Sequence, residues 1–124
     1  MRKLLSAALA LTACALMVVA TTAFAARAET KVTIKAESGG FFGYVKSEKT
    51  KCANGRKVTL YKLKGNGYDP KNDEKIGSDI AQANGDKYMW STGNTGSRKG
   101  DYYAYAKKIK GCKADFSKVI KAQK

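Results

Sequence analysis

Hydrophobic and polar positions follow two patterns along this chain. Leu4 to Ala26 carries no charge and is dominated by Ala, Leu, Val and Met, behind the basic pair Arg2 and Lys3. Beyond it, apolar residues alternate with polar ones in short stretches. Val32-Thr33-Ile34-Lys35 alternates, and Phe41 to Lys46 does so less cleanly. Lys57 to Leu63 (KVTLYKL) is β-branched and aromatic. Ile76 to Ala83 and Lys87 to Trp90 flank Asn84-Gly85 as a hairpin. Tyr102 to Ile109 (YYAYAKKI) alternates again, and Phe116 to Lys121 (FSKVIK) follows near the C-terminus. A period of two marks a half-buried strand. Between the runs stand Gly39-Gly40, Asn54-Gly55, Gly65-Asn66-Gly67, Gly93-Asn94-Thr95-Gly96 and Gly111. Such residues supply the positive φ of tight turns. Lys113 to Lys121 can also be read as a helical turn or two, but no segment after Ala26 sustains a helical period with caps. Seven short strands separated by turns predict an all-β fold, a sandwich or barrel.

The first run has the form of a secretory signal peptide, a helix preceding the domain: charge, apolar stretch, then the small-x-small sites Ala23-Phe24-Ala25 and Ala26-Arg27-Ala28. Cleavage near Ala25 or Ala28 is expected, giving a signal over residues 1–28 and one domain over 29–124. Two alternatives stay open. The apolar run is long enough for an uncleaved anchor, since about 20 residues span a bilayer. Leu11-Thr12-Ala13-Cys14 resembles a lipobox, with Cys14 acylated, although the chain stays apolar for ten more positions.

Charge changes the picture next. The chain has 24 Lys and Arg against 10 Asp and Glu, and no histidine. Loss of Arg2, Lys3 and Arg27 with the signal leaves 21 basic residues against 10 acidic, about +11. A basic exported protein meets anionic polymers, lipid head groups or acidic partners. Scattered lysines also solvate strand faces and blunt sheet edges.

Cys52 and Cys112 remain once the signal is set aside. An even count in a small exported domain points to a disulfide. The bridge closes a loop of about 60 residues, worth about 4 kcal/mol in the chain-entropy picture. A thiolate metal site wants about four Cys or His ligands, and a cysteine nucleophile wants a base such as His. The chain offers neither, so no metal and no cofactor is expected.

The remaining chemistry is sparse. Without histidine there is no Ser-His-Asp or Cys-His catalysis, no Ser-Lys motif stands in a supporting context, and no catalytic residue is assigned. The acidic stretch Asp69 to Glu74 has the oxygens for calcium but not the EF-hand spacing; a solvated turn around Pro70 is the alternative. Ser91 to Gly100 (STGNTGSRKG) lacks the spacing of a phosphate loop. It is a loop between two strands, and Asn94, Arg98 and Lys99 are its candidate contact residues. KVTLYKLK and YYAYAKK interleave aromatic and basic residues as single-strand nucleic-acid binders do. Export argues against that partner, and cross-strand aromatic pairing accounts for the pattern.

IGSDIAQANGDKYMW followed by GDYYAYAKK resembles transthyretin-like and carboxypeptidase-regulatory-like β-sandwich domains. Ser78-Asp79, Asn84-Gly85, Tyr88 with Trp90, and Gly100-Asp101-Tyr102-Tyr103 stand at the motif positions. Gly43-Tyr44-Val45 and Val58-Thr59-Leu60 fit earlier strands, so the resemblance covers about Val32 to Ile120. It implies an antiparallel sandwich of about seven strands acting as a noncatalytic accessory module. The expected function is therefore an exported, monomeric binding or structural protein contacting anionic envelope polymers or lipid head groups. Recognition of another exported protein through the loops is the alternative, with a small hydrolase behind it.

Overall fold

Residues 27–96 and 99–122 are described by the computed structural model. The expected signal segment up to Ala26, Cys14 and Arg98 lie outside the described residues. Among the described residues there are ten strand segments and one short helix. In chain order they are β1 (Lys31–Val32), β2 (Lys35–Glu37), β3 (Gly40–Lys46), α1 (Thr50–Ala53), β4 (Lys57–Lys62), β5 (Glu74–Ile80), β6 (Gln82–Asn84), β7 (Lys87–Asn94), β8 (Gly100–Ala106), β9 (Asp115–Phe116) and β10 (Ile120–Ala122). They pair into two antiparallel sheets. One runs β1-β3-β7-β6, with β2 also on β3; the other runs β10-β8-β4-β5, with β9 also on β8. The all-β expectation holds, as does the hairpin at Asn84-Gly85, where Asn84 pairs with Lys87 and Gly85 alone takes positive φ.

The strand total exceeds the expected seven because three runs are interrupted, each for a local reason. Thr33 separates β1 from β2. Its amide donates to the Tyr44 carbonyl, its hydroxyl accepts from the Tyr44 amide, and its carbonyl accepts from the Trp90 indole at 3.1 Å. Gly43 makes that approach feasible, since a Cβ there would lie 1.9 Å from the Thr33 oxygen. Ala81 separates β5 from β6. Its amide bonds Arg56 and its carbonyl bonds Gly55, while the chain passes from one sheet to the other. Ser117 separates β9 from β10. Its backbone amide donates to the Ala104 carbonyl, and its hydroxyl accepts from the Ala104 amide. The final run is thus one β8 partner with a side chain inserted into the ladder, and not a helix.

Residues from both sheets share one apolar core. Val32, Phe41, Val45 and Trp90 come from one sheet, and Val58, Leu60, Tyr102 and Ala104 from the other. Phe41 and Tyr102 meet across it with ring centroids 4.6 Å apart. The Asp79 carboxylate on β5 accepts the Ser91 amide of β7, which ties the sheets at their edge.

Candidate binding surface

The Lys51 to Gly67 stretch folds into a covalent and polar knot. Helix α1 buries Cys52, which forms a disulfide with Cys112 at a Cα separation of 5.5 Å. Cys112 ends a tight turn with Ile109 in which Gly111 takes positive φ. Arg56 lies beneath the bridge, 2% exposed. Its guanidinium donates to the Thr30 hydroxyl and to the carbonyls of Cys52, Lys107 and Lys113. Burial lowers its pKa, with a nearby tyrosine, Tyr105, acting in the other direction. Four separate segments are therefore gathered around one arginine whose hydrogen-bonding partners are all uncharged. Nothing local to Arg56 marks this role, because in sequence it is one more base beside the Asn54-Gly55 turn.

A second buried group sits on the outer side of the second sheet. Asp73 is 8% exposed and accepts hydrogen bonds from the Tyr103 hydroxyl at 2.6 Å and from the amides of Lys64 and Asp69. Burial alone would raise its pKa. The hydrogen bonds and the Lys64 charge outweigh that and hold the carboxyl below its ordinary value. The same geometry pushes the Tyr103 phenol well up, through burial first and its bond to Asp73 second. Asp69 accepts from the Asn72 side chain. The acidic stretch thus closes its own loop, and among the described residues no group of three potential ligands could hold a metal ion.

Around Asp73 the sheet carries aromatic rings outward. Tyr61 stacks on Tyr103 at 5.4 Å, Tyr105 on Phe116 at 4.4 Å, and Phe116 on Tyr68 at 4.5 Å. The cross-strand pairing expected from the sequence is present, yet the rings lie on the solvent side. YYAYA carries the signal: Ala104 and Ala106 enter the core, so Tyr103 and Tyr105 must point away from it. Tyr61 and Tyr105 are half-buried, and Tyr68 and Phe116 exposed. Phe116 also lines a groove of ≈ 1030 Å3, together with Lys31, Lys35, Lys46 and Lys118.

The loop residues singled out from sequence are less informative. Asn94 ends β7, and its side chain accepts the Gly96 amide, closing its own turn. Lys99 is exposed beside Gly100 and Asp101. Among the described residues, no helix is long and apolar enough to cross a membrane.

Charge is segregated by role. Asp73, Asp79 and Asp115 direct their carboxylates onto backbone amides, the last onto Val32. Two ion pairs occur among the described residues, Lys113 with Glu29 and Lys121 with Asp101. Comparison with known proteins finds no matching family, curated protein or solved structure.

Proposed function

We propose that this chain is an exported, noncatalytic binding protein whose cationic β domain contacts anionic polymers or lipid head groups at the cell envelope or outside the cell. The observation that carries the reading is the distribution of charge. The net charge is +14 for the whole chain and about +11 for residues 29–124, with 21 basic residues against 10 acidic. Two ion pairs occur among the described residues, far fewer than the lysines, and a net field of one sign attracts polyanions. The Cys52–Cys112 bridge suits an oxidising compartment. We read the two sheets, which share one core, as a sandwich, of the transthyretin-like layout that the sequence resembles.

The test is retention on carboxylated polysaccharide beads and on phosphatidylglycerol vesicles, with neutral beads and phosphatidylcholine vesicles as controls. Binding to an anionic support is expected at low salt and should weaken steeply toward 1 M, where screening shortens to about 3 Å. No retention on either anionic support at low salt would sink the reading.

A further inference from the structure

The stacked rings on the second sheet define a place where such a polymer would sit. The order across that sheet is β9, β8, β4, β5. Register puts Phe116, Tyr105, Thr59 and Ser78 in one row, and Tyr103, Tyr61 and Lys75 in the next. Phe116 covers one face of the Tyr105 ring, at 4.4 Å and 18°. The other face is therefore turned toward β4, where the row continues with two small hydroxyl residues. Tyr103 covers one face of Tyr61 at 5.4 Å and 20°, so the free face of Tyr61 is turned toward Lys75. Both free faces look the same way along the sheet, toward the edge strand β5. Tyr61 and Tyr105 are diagonal neighbours, about 7–8 Å apart by sheet geometry.

We propose that the free ring faces of Tyr61 and Tyr105, with the exposed Ser78 beside them, buried Thr59 beneath, and Lys57 and Lys75 at the margin, form a binding shelf for acidic polysaccharide. This rests on the cationic-binding reading above and gives it a site and a ligand class. A pyranose ring has an apolar C–H face that lies on a tyrosine ring, and hydroxyl edges that suit the exposed Ser78. Its carboxylate or sulfate suits the ammonium groups of Lys57 and Lys75, both exposed. Lys57 shares the outer side of β4 with Thr59 and Tyr61, because Val58 and Leu60 enter the core. A second copy of the domain is a poor occupant, since residues 29–124 of each copy carry a net charge of about +11. Beyond Phe116 the surface continues into a groove lined by Lys31, Lys35, Lys46 and Lys118 and also by Glu29, Glu48 and Asp115, so its charge is mixed.

Titration of the exported protein with polygalacturonate at low salt tests this, beside phosphatidylglycerol vesicles and oligodeoxythymidylate. Tyr61→Ala and Tyr105→Ala should weaken polygalacturonate binding by about 5-fold or more, the lower end of the effect of removing a ring that stacks on a nucleobase. Tyr105→Phe keeps the ring face and should bind as the unaltered protein does. If both alanine variants keep full affinity, the shelf is wrong, while salt-sensitive binding would leave the cationic reading standing. Binding to vesicles but not to polygalacturonate also overturns the shelf alone. Equal or tighter tyrosine-dependent binding of oligodeoxythymidylate overturns the ligand class. No binding to polygalacturonate or vesicles removes both readings. Should an alanine variant melt early, the Tyr61 and Tyr105 ring resonances of the unaltered protein decide. Shifts on adding polygalacturonate support the shelf, and unmoved resonances overturn it.

Discussion

Asp73 is the residue through which the outer aromatic layer is fastened to the sheet. One carboxylate satisfies two loop amides, those of Lys64 and Asp69, and the buried Tyr103 hydroxyl. Removing it leaves three donors without that partner, the Tyr103 hydroxyl in a buried place and the two amides in part-buried ones. Asp73→Ala should cost roughly 2–4 kcal/mol, read as a lowered urea midpoint at neutral pH. The pH dependence has a definite sign. The folded pKa of Asp73 lies below its unfolded value, so the contribution is complete above the unfolded pKa and is lost as pH falls through the folded one. The stability gap between the parent and Asp73→Ala should therefore narrow below about pH 4. Tyr103 has the opposite sense. Its folded pKa is raised, so its contribution is complete below the unfolded value, about 10, and falls away as pH rises beyond it. Urea midpoints of the parent and Tyr103→Phe should accordingly converge above pH 10. A constant gap across the acid range would show that the Asp73 carboxylate does not carry the network.

At the scale of elements, the close approach of Thr33 to Gly43 sets how the N-terminal run joins its sheet. A Cβ at Gly43 would lie 1.9 Å from the Thr33 oxygen and 2.8 Å from the Trp90 indole nitrogen. Both neighbours are fixed, one as backbone and one as a buried ring that donates to the same oxygen. Gly43→Ala should cost about 1–3 kcal/mol or more through overpacking. Gly67→Ala, with open space around its Cβ, should stay within about 0.5 kcal/mol of the parent. Thermal midpoints of the two variants check this. Equal midpoints would mean that β3 and the β1–β2 link separate without penalty. The same elements show what was legible beforehand. The alternation of KVTLYKL and YYAYA fixed which side of β4 and β8 faces the core, because a period of two is local. The break at Thr33 was illegible, because it depends on a glycine ten residues later and an indole 57 residues away. Asp73 read as one acid of a solvated turn for the same reason: its phenol partner is 30 residues distant. The outward tyrosines could be seen in the alternation, but their free faces depend on the order of β9, β8, β4 and β5, which no single strand encodes.

For the whole molecule, the closure around Cys52, Arg56 and Cys112 includes the residue where export would cut. The Ala28 amide donates to the Gly111 carbonyl, and the Ala28 carbonyl accepts from the Lys113 amide. Lys113 in turn pairs with Glu29 and offers its carbonyl to Arg56. Ala28 is thus a working part of the knot that the disulfide closes over a separation of 60 residues. Cleavage after Ala25 would leave Ala26 and Arg27 in front of this pairing and keep it whole. Cleavage after Ala28 would remove both bonds and place a new amino terminus at Glu29. On the export reading, the mature chain should therefore begin at Ala26, with its intact mass 2 Da below the reduced form from the bridge. A version begun at Glu29 should be less stable by about 1–3 kcal/mol, the worth of two backbone hydrogen bonds. For a domain of this size that lowers the thermal midpoint by several degrees, about 4–8 °C per kcal/mol. A mature amino terminus at Glu29 with an unchanged midpoint would show that the pairing of Ala28 with the Cys112 turn carries no weight. Two free thiols in the exported chain would remove the knot itself, and with it the reason for preferring the earlier site.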